Sequence, residues 1–109
     1  MKDQNCTINL VYVTHENETN ARSLVSSILN KKLAACANTF PITASYWWEG
    51  KVVHGGEVVS ILKTLPDLWE PLKEAIIKIH PYEVPCIMKL ETQVNESYYN
   101  WIKESVAVS

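Results

Sequence analysis

Glycine and cysteine are both scarce in this chain, and each scarcity excludes a class of site. Only three of the 109 residues are glycine, so a glycine-rich loop that cradles phosphate is not expected. The three cysteines, Cys6, Cys36 and Cys86, are odd in number and form no C-x-x-C pair. A disulfide framework needs an even and dense set of cysteines, so reduced thiols in the cytoplasm are the simpler interpretation.

Long apolar runs and an excess of positive charge are also missing. No apolar run approaches the ~20 residues that span a bilayer, and the apolar part of residues 1–13 is too short and too strand-like for a signal peptide. The 10 basic residues are scattered and are outnumbered by 12 acidic ones. We therefore expect a cytoplasmic protein that binds neither a membrane nor a nucleic acid.

The sequence signatures of common enzymes are absent as well. There is no G-x-S-x-G elbow and no H-E-x-x-H pair. A nucleophile pair of Cys36 and His80 would need a third, orienting group, for which only Glu83 lies near in sequence. We therefore expect that the protein is not an enzyme.

What the chain does contain is an alternation of strand and helix patterns within a length, residues 1–109, that suits a single domain. Runs of β-branched and aromatic residues predict strands, and apolar residues at spacings of three and four predict helices. In chain order these are a strand at 8–14, a helix at 19–32, extended segments at 33–48 and 52–64, a helix from Pro66 to Pro81, a strand at 86–92 and a helix at 98–105.

Three local features refine this prediction. Lys31 and Lys32 are expected in the last turn of the first helix, where positive charge is favourable. Pro41 predicts a bend, a bulge or a sheet edge. Gly55 and Gly56 predict a bulge or an irregular stretch in the second extended segment.

The order β-α-β-β-α-β with a terminal helix is that of a ferredoxin-like α+β sandwich. Its two extended segments are joined by a turn at 49–51 into a β-hairpin that is longer than one small sheet requires. The extra length must pair with another chain or expose an aggregation-prone edge. We therefore predict a homo-oligomer.

Four segments of the chain resemble motifs of one known family. They are K-L-A-A-C-A-N at 32–38, Y-W-W-E-G-K at 46–51, H-P-Y-E-V-P at 80–85 and Y-N-W-I at 99–102. In sequence and in order they are similar to the motifs of the CutA family of divalent cation tolerance proteins. The resemblance implies a ferredoxin-like subunit, akin to PII-like signalling proteins, in a tightly interlocked homotrimer. It also implies binding of copper or another divalent metal and a role in metal tolerance.

Cys36 and His80 are the candidate metal ligands, because thiolate and imidazole both bind copper and zinc. They match the cysteine and histidine that the family links to metal, and both could approach the same region of a ferredoxin-like sheet. The chain has Cys86 where the family commonly has glutamate. A site that includes Cys86, with Glu83 as a less favoured ligand, would be softer and would suit Cu(I) or zinc. The alternatives are that Cys86 is a small apolar filler and that His80 caps a helix.

The other thiol and imidazole groups receive no role from the sequence. Cys6 is expected in a mobile N-terminus, which makes it the least favoured ligand. His15 and His54 are expected in solvated loops.

Aromatic residues gather at the hairpin tip and in the last helix. Neighbours on a strand point to opposite faces, so one of Trp47 and Trp48 is predicted to pack on its own subunit and the other on a neighbour. Together with Tyr46 they fit an interface better than a ligand-stacking platform, since aromatic residues anchor interfaces. Trp101 is likewise expected to pack.

The combined hypothesis is a homotrimer that binds copper or another divalent metal weakly and carries no organic cofactor. The alternative is a PII-like sensor or scaffold that takes a small anionic ligand, or an unidentified protein partner, in the clefts between subunits. A thiol-dependent enzyme is the third and least favoured hypothesis.

Overall fold

The structure, a computed structural model, describes residues 6–108. Four strands alternate with three α-helices and one short 3₁₀ turn. In chain order they are β1 (Thr7–His15), α1 (Glu18–Asn30), β2 (Cys36–Trp48), β3 (Lys51–Thr64), the 3₁₀ turn (Pro66–Leu68), α2 (Trp69–Ile79), β4 (Ile87–Gln93) and α3 (Glu96–Val106).

The strands form one antiparallel sheet in the order β2-β3-β1-β4. Helices α1 and α2 pack on one face of it, where Val11, Val13 and Leu62 meet Ile28 and Ile76 in the hydrophobic core. This arrangement confirms the predicted ferredoxin-like α+β fold. The apolar spacing of α1 and α2 predicted this packing, because each helix has one apolar stripe to bury against the sheet.

The opposite face of the sheet is covered only in part. Helix α3 packs on one end of it. Beyond α3 lies an apolar stretch that we call the open sheet face, and its members share the same side of their strands. They are Leu10, Tyr12, Phe40, Met88 and Leu90. A sheet face of this kind requires a cover to keep apolar side chains from water.

The β2-β3 hairpin extends well beyond the rest of the sheet. The last pairing of β1 with β3 joins His15 and Val58, whereas β2 and β3 stay paired out to Trp48 and Lys51. We call residues 42–57, which lie beyond that point, the hairpin arm. A two-residue turn closes it, with φ of 50° at Glu49 and 80° at Gly50, the positive values that tight hairpin turns need.

The predictions for proline and glycine in the hairpin had different outcomes. Pro41 lies in β2, which is an edge strand, so the edge interpretation is confirmed. The bulge predicted at Gly55 and Gly56 was wrong. Both glycines continue the regular ladder, opposite Ala44 and Thr43, and neither strand carries an extra residue that a bulge would accommodate.

The end of α1 also differs from the prediction, because the helix stops at Asn30, before the two lysines. Lys32 adopts a left-handed φ of 59°. Its N–H donates to the carbonyl of Leu29, and the Leu33 N–H donates to that of Ile28. This pair of hydrogen bonds is the Schellman motif, which ends a helix by a left-handed residue and usually uses glycine there.

Four side chains lie in environments that the sequence did not indicate. Cys6 is buried rather than mobile, and its carbonyl accepts a hydrogen bond from the Val94 N–H. His15 is the last residue of β1 and is 1% exposed, so its assignment to a solvated loop was wrong. Trp47 and Trp48 are 74% and 61% exposed, so neither is buried within its own chain, although one of the two was expected to be.

Candidate functional site

A cleft of about 970 Å³ lies where the hairpin arm leaves the sheet, beside the end of β1. The segment between α2 and β4 forms one wall and the arm forms the other. Its lining is aromatic and acidic, with one thiol. The side chains concerned are Tyr46, Trp48 and Tyr82, then Glu16, Glu57 and Glu83, and Cys86. Among the described residues no lysine, arginine or histidine lines this acidic cleft.

A hydrogen bond joins the two walls of the acidic cleft. The Tyr82 hydroxyl donates to Glu57 Oε2 at 3.3 Å. Burial, followed by the Glu57 charge and this hydrogen bond, raises the pKa of Tyr82 to about 12. The phenol therefore stays protonated at neutral pH and fixes the position of the Glu57 carboxylate.

Cys86 contributes a thiol rather than a preformed thiolate. Burial raises its pKa, and the nearby Glu57 charge raises it further. Since the thiolate is the metal ligand and the nucleophile, a bound cation would first have to displace the thiol proton. This environment disfavours a reactive cysteine.

His80 lies behind the cleft wall, 7% exposed, at the end of α2. Its Nε2–H donates to the Thr14 carbonyl at 2.7 Å, and its Nδ1 accepts from the Tyr82 N–H at 3.1 Å. The centroid of its ring is 4.7 Å from that of Tyr82 and 5.8 Å from that of His15. The structure thus gives His80 a role in holding the backbone at Thr14 and Tyr82, which the sequence did not indicate.

His15 remains a neutral imidazole in this environment. Burial and the neighbouring His80 lower its pKa from 6.5 to about 4. Its Nε2 is buried and has no hydrogen-bond partner within the described part of the chain. A charged imidazole would be unfavourable there because it would lose its hydration without gaining a counter-ion.

Cys36 lies elsewhere on the sheet. Its Sγ is 3.2 Å from the Tyr98 hydroxyl of α3, and that hydrogen bond is the main cause of the raised pKa of Tyr98. Cys36 is level with Leu10 of β1, through Lys63 of β3. His80 contacts Thr14, four residues further along β1, which is roughly 13 Å at ~3.3 Å per residue.

The structure therefore groups some of the predicted ligands and separates others. Glu83 and Cys86 share the acidic cleft, His80 stands behind its wall, and Cys36 is remote within one chain. Between residues 6 and 108, no three histidine, cysteine or acidic side chains come close enough to hold a metal ion by themselves. The assignment of Cys36, His80, Cys86 and Glu83 as ligands stays a prediction.

Sequence reasoning missed Glu57 and His15. The signal for Glu57 was available, since an acidic residue stands directly before the apolar run of β3 at Val58 and Val59. The signal for His15 was weaker, because the polar residues after it suggested that the strand had ended. The pairing of His15 with Val58 shows that strand β1 continues to His15.

These features define a class: a ferredoxin-like α+β domain with a long exposed hairpin and an acidic, thiol-bearing cleft. The comparisons with known proteins agree with the fold. The family model described as CutA1 divalent ion tolerance protein matches residues 9–105, so the chain belongs to the CutA family, as the resemblance of its motifs implied.

Relatives and solved structures support this membership. The divalent-cation tolerance protein CutA of Pyrococcus horikoshii is 46% identical over 87% of this chain and 94% of its own. The CutA protein of Thermotoga maritima is 42% identical, with coverage of 89% and 97%. A structure of the periplasmic divalent cation tolerance protein CutA from Archaeoglobus fulgidus superimposes with a TM-score of 0.89 at 33% identity, covering 92% of this chain and 99% of that one.

Proposed function

We propose that this protein acts in divalent-metal tolerance by binding copper or another divalent metal weakly in the acidic cleft. Family membership supports a role in metal tolerance in general. The observation that carries the proposal is the charge of the cleft, which presents Glu57, Glu83 and the Cys86 thiol with no basic side chain among the described lining residues.

The donor set fits a soft or borderline cation. Carboxylate oxygens accept most divalent ions, whereas a thiolate shifts the preference toward copper and zinc. Because the Cys86 pKa is raised, the proton must leave before sulfur binds. Affinity is therefore expected to increase with pH, and the site is expected to be weaker than a preformed thiolate site.

We also propose that the working form is a homotrimer. The open sheet face and the hairpin arm both expose large apolar side chains, including Phe40, Leu90, Trp47, Trp48 and Val52. Trp101 of α3 is another. Aromatic side chains at this density anchor interfaces, and the paired arm needs a cover against aggregation.

The trimer bears directly on the metal site. Cys36 is too far from the cleft to reach it within one chain, so it would contribute only to a site on a sister chain. Beside Gly55 and Gly56 an added Cβ would meet no atom within 4 Å. That space leaves room for a neighbouring chain to pack against the arm.

A binding role is proposed rather than a catalytic one. The one thiol in the acidic cleft has a raised pKa, whereas a catalytic cysteine needs a lowered one. The alternative of a sensor for a small anionic ligand fits poorly with a cleft lined by carboxylates, since like charges repel. A sensor or scaffold that binds a protein partner remains compatible with the exposed arm.

The proposed location is the cytoplasm, on the basis of the reduced-thiol composition. Over residues 6–108 no helix is long and apolar enough to cross a membrane. Since one similar structure is described as periplasmic, fractionation of cells that express the untagged full chain is the direct test.

Zinc and Cu(I) titrations of the reduced protein test the metal proposal. Glu57→Gln and Cys86→Ser are each expected to weaken binding about tenfold or more, a loss of ~1.4 kcal/mol or above. Glu70→Gln is the matched control, because Glu70 is an acidic residue of α2 that pairs with Lys73 outside the cleft. Equal metal affinity in all variants would show that the metal does not bind in the acidic cleft.

A further inference from the structure

His80 differs from the other candidate ligands because both of its ring nitrogens already have partners. Nε2 faces a carbonyl oxygen, that of Thr14, at 2.7 Å. A carbonyl only accepts, so Nε2 must carry the proton. Nδ1 accepts from the Tyr82 backbone N–H at 3.1 Å, so Nδ1 must be unprotonated.

These two bonds attach the wall of the acidic cleft to the sheet. One end of the connection is the carbonyl of Thr14 in β1, and the other is the backbone of Tyr82 in the segment between α2 and β4. The Tyr82 hydroxyl then donates to Glu57 of the arm at 3.3 Å. A single imidazole thus links β1, the wall segment and, through Tyr82, a carboxylate of the opposite wall.

The ligand role conflicts with this arrangement. A metal ion needs a ring nitrogen with a free lone pair, which requires either deprotonation of Nε2 or release of the Tyr82 N–H from Nδ1. Either change would leave a backbone carbonyl or N–H unpaired beside a ring that is only 7% exposed. Unpaired buried polar groups are strongly unfavourable.

We propose that His80 is a positioning residue of the acidic cleft and not a metal ligand. It holds Tyr82 in the place from which the phenol orients the Glu57 carboxylate. The inference rests on the proposed function for the identity of the bound cation. The hydrogen-bonded role itself exists in the metal-free protein and is measurable there.

The metal-free protein provides the first test. Nitrogen-15 NMR of the histidine rings, assigned with the His80→Asn variant, is expected to show His80 in the neutral form protonated at Nε2. His80→Ala is expected to shift the ring and hydroxyl signals of Tyr82, because its backbone anchor is lost. A His80 ring protonated at Nδ1, or Tyr82 signals that are identical in the wild type and His80→Ala, would overturn the proposal.

Zinc provides the second test, since it is diamagnetic. At saturating zinc the ring nitrogens of His80 are expected to keep their metal-free shifts. His80→Ala is expected to weaken zinc binding by roughly 10- to 100-fold, as loss of an outer-shell partner does. A large zinc-induced shift of either His80 nitrogen would establish it as a ligand.

The amide variants separate the two roles further. Asn can offer an acceptor near the position of Nδ1, and Gln can offer a donor near that of Nε2, while neither amide is a good zinc ligand. His80→Asn or His80→Gln is expected to recover part of the affinity that His80→Ala loses. If all three variants lose the same affinity, the ligand role is correct.

The two proposals fail in different ways. If the wild type binds no zinc or Cu(I), the proposed function is wrong, and the metal-free spectra alone decide the role of His80. If zinc binds and shifts His80, metal binding stands and the positioning role is wrong.

Discussion

Strands β2 and β3 run through two regions that bury their side chains very differently. Beside α1 and α2, the β3 residue Leu62 is completely buried in the core with Val11 and Val13. In the hairpin arm, the same two strands leave Trp47, Trp48 and Val52 exposed. The comparison teaches that one chain buries the apolar side chains of its helix-backed sheet by itself, whereas it leaves those of the arm uncovered. The proposed homotrimer would cover them.

The largest expected effect lies in the helix-backed region. Ile76 of α2 is fully buried in the core, so Ile76→Ala should lower the free energy of unfolding by about 2–5 kcal/mol. Chemical denaturation followed by circular dichroism measures this loss. Val52→Ala in the arm is the control and should change the free energy of unfolding of the separated subunit by less than ~0.5 kcal/mol. An equal loss in both variants would contradict the distinction between the helix-backed sheet and the arm.

Acid should affect the helix-backed region through His15. Its pKa is about 4 in the folded protein against 6.5 ordinarily, so the unfolded chain binds more protons between these values. Stability is then full above pH 6.5 and is lost as the pH falls to 4, by up to roughly 3 kcal/mol at ~1.4 kcal/mol per pKa unit.

Denaturation curves from pH 7 to pH 4 measure the His15 effect. Carboxylates also titrate in this range, so the measured quantity is the difference between the wild type and His15→Gln, whose side chain does not ionise. His54→Gln is the matched control, since His54 is an exposed residue of the arm. A pH dependence that His15→Gln leaves unchanged would show that His15 is not responsible.

The arm should respond in assembly rather than in folding. Trp48→Ser removes a large exposed aromatic, which as an interface anchor is worth ~2 kcal/mol or more. Light scattering at micromolar concentration should show that the wild type is a trimer and that the variant is dissociated at least in part. A wild type that is a monomer in solution would contradict the assigned role of the arm.

The smallest expected effect is a gain at the end of α1. Lys32 holds a left-handed φ of 59°, a conformation that costs a residue with a Cβ roughly 1 kcal/mol. Lys32→Gly should therefore raise the free energy of unfolding by about 0.5–1 kcal/mol, less any entropy that glycine adds to the unfolded chain. Asn30→Gly is the control, since Asn30 is the last residue of α1. It should lower the free energy of unfolding, because glycine is unfavourable within a helix.

Much of the fold was predictable because it depends on periodic patterns. The strand at 8–14 follows from a run of β-branched and aromatic residues, and the helix at 19–32 follows from apolar spacings of three and four. Both lie within two residues of the observed bounds. The errors fell where spacing carries little information. Gly55 and Gly56 suggested a bulge, yet the ladder continues through them because the partner strand has the same number of residues.

The candidate site was predictable only in its residue types. Thiol, imidazole and carboxylate groups were visible in the sequence, and Glu83 and Cys86 do share a cleft. The roughly 13 Å between the levels of Cys36 and His80 on the sheet was not visible, because it depends on the register of β2, β3 and β1. Register is set by the whole sheet and not by any one motif.

The sequence by itself determined the order of elements, the long hairpin, the membership of the family and the presence of thiol, imidazole and carboxylate groups. Tertiary structure alone decided which donors meet, that the Tyr82 phenol holds Glu57 and that His80 has both nitrogens occupied. The physical reason is range: apolar periodicity acts over neighbouring residues, whereas each of these three hydrogen bonds depends on how the segment after α2 folds back against the sheet.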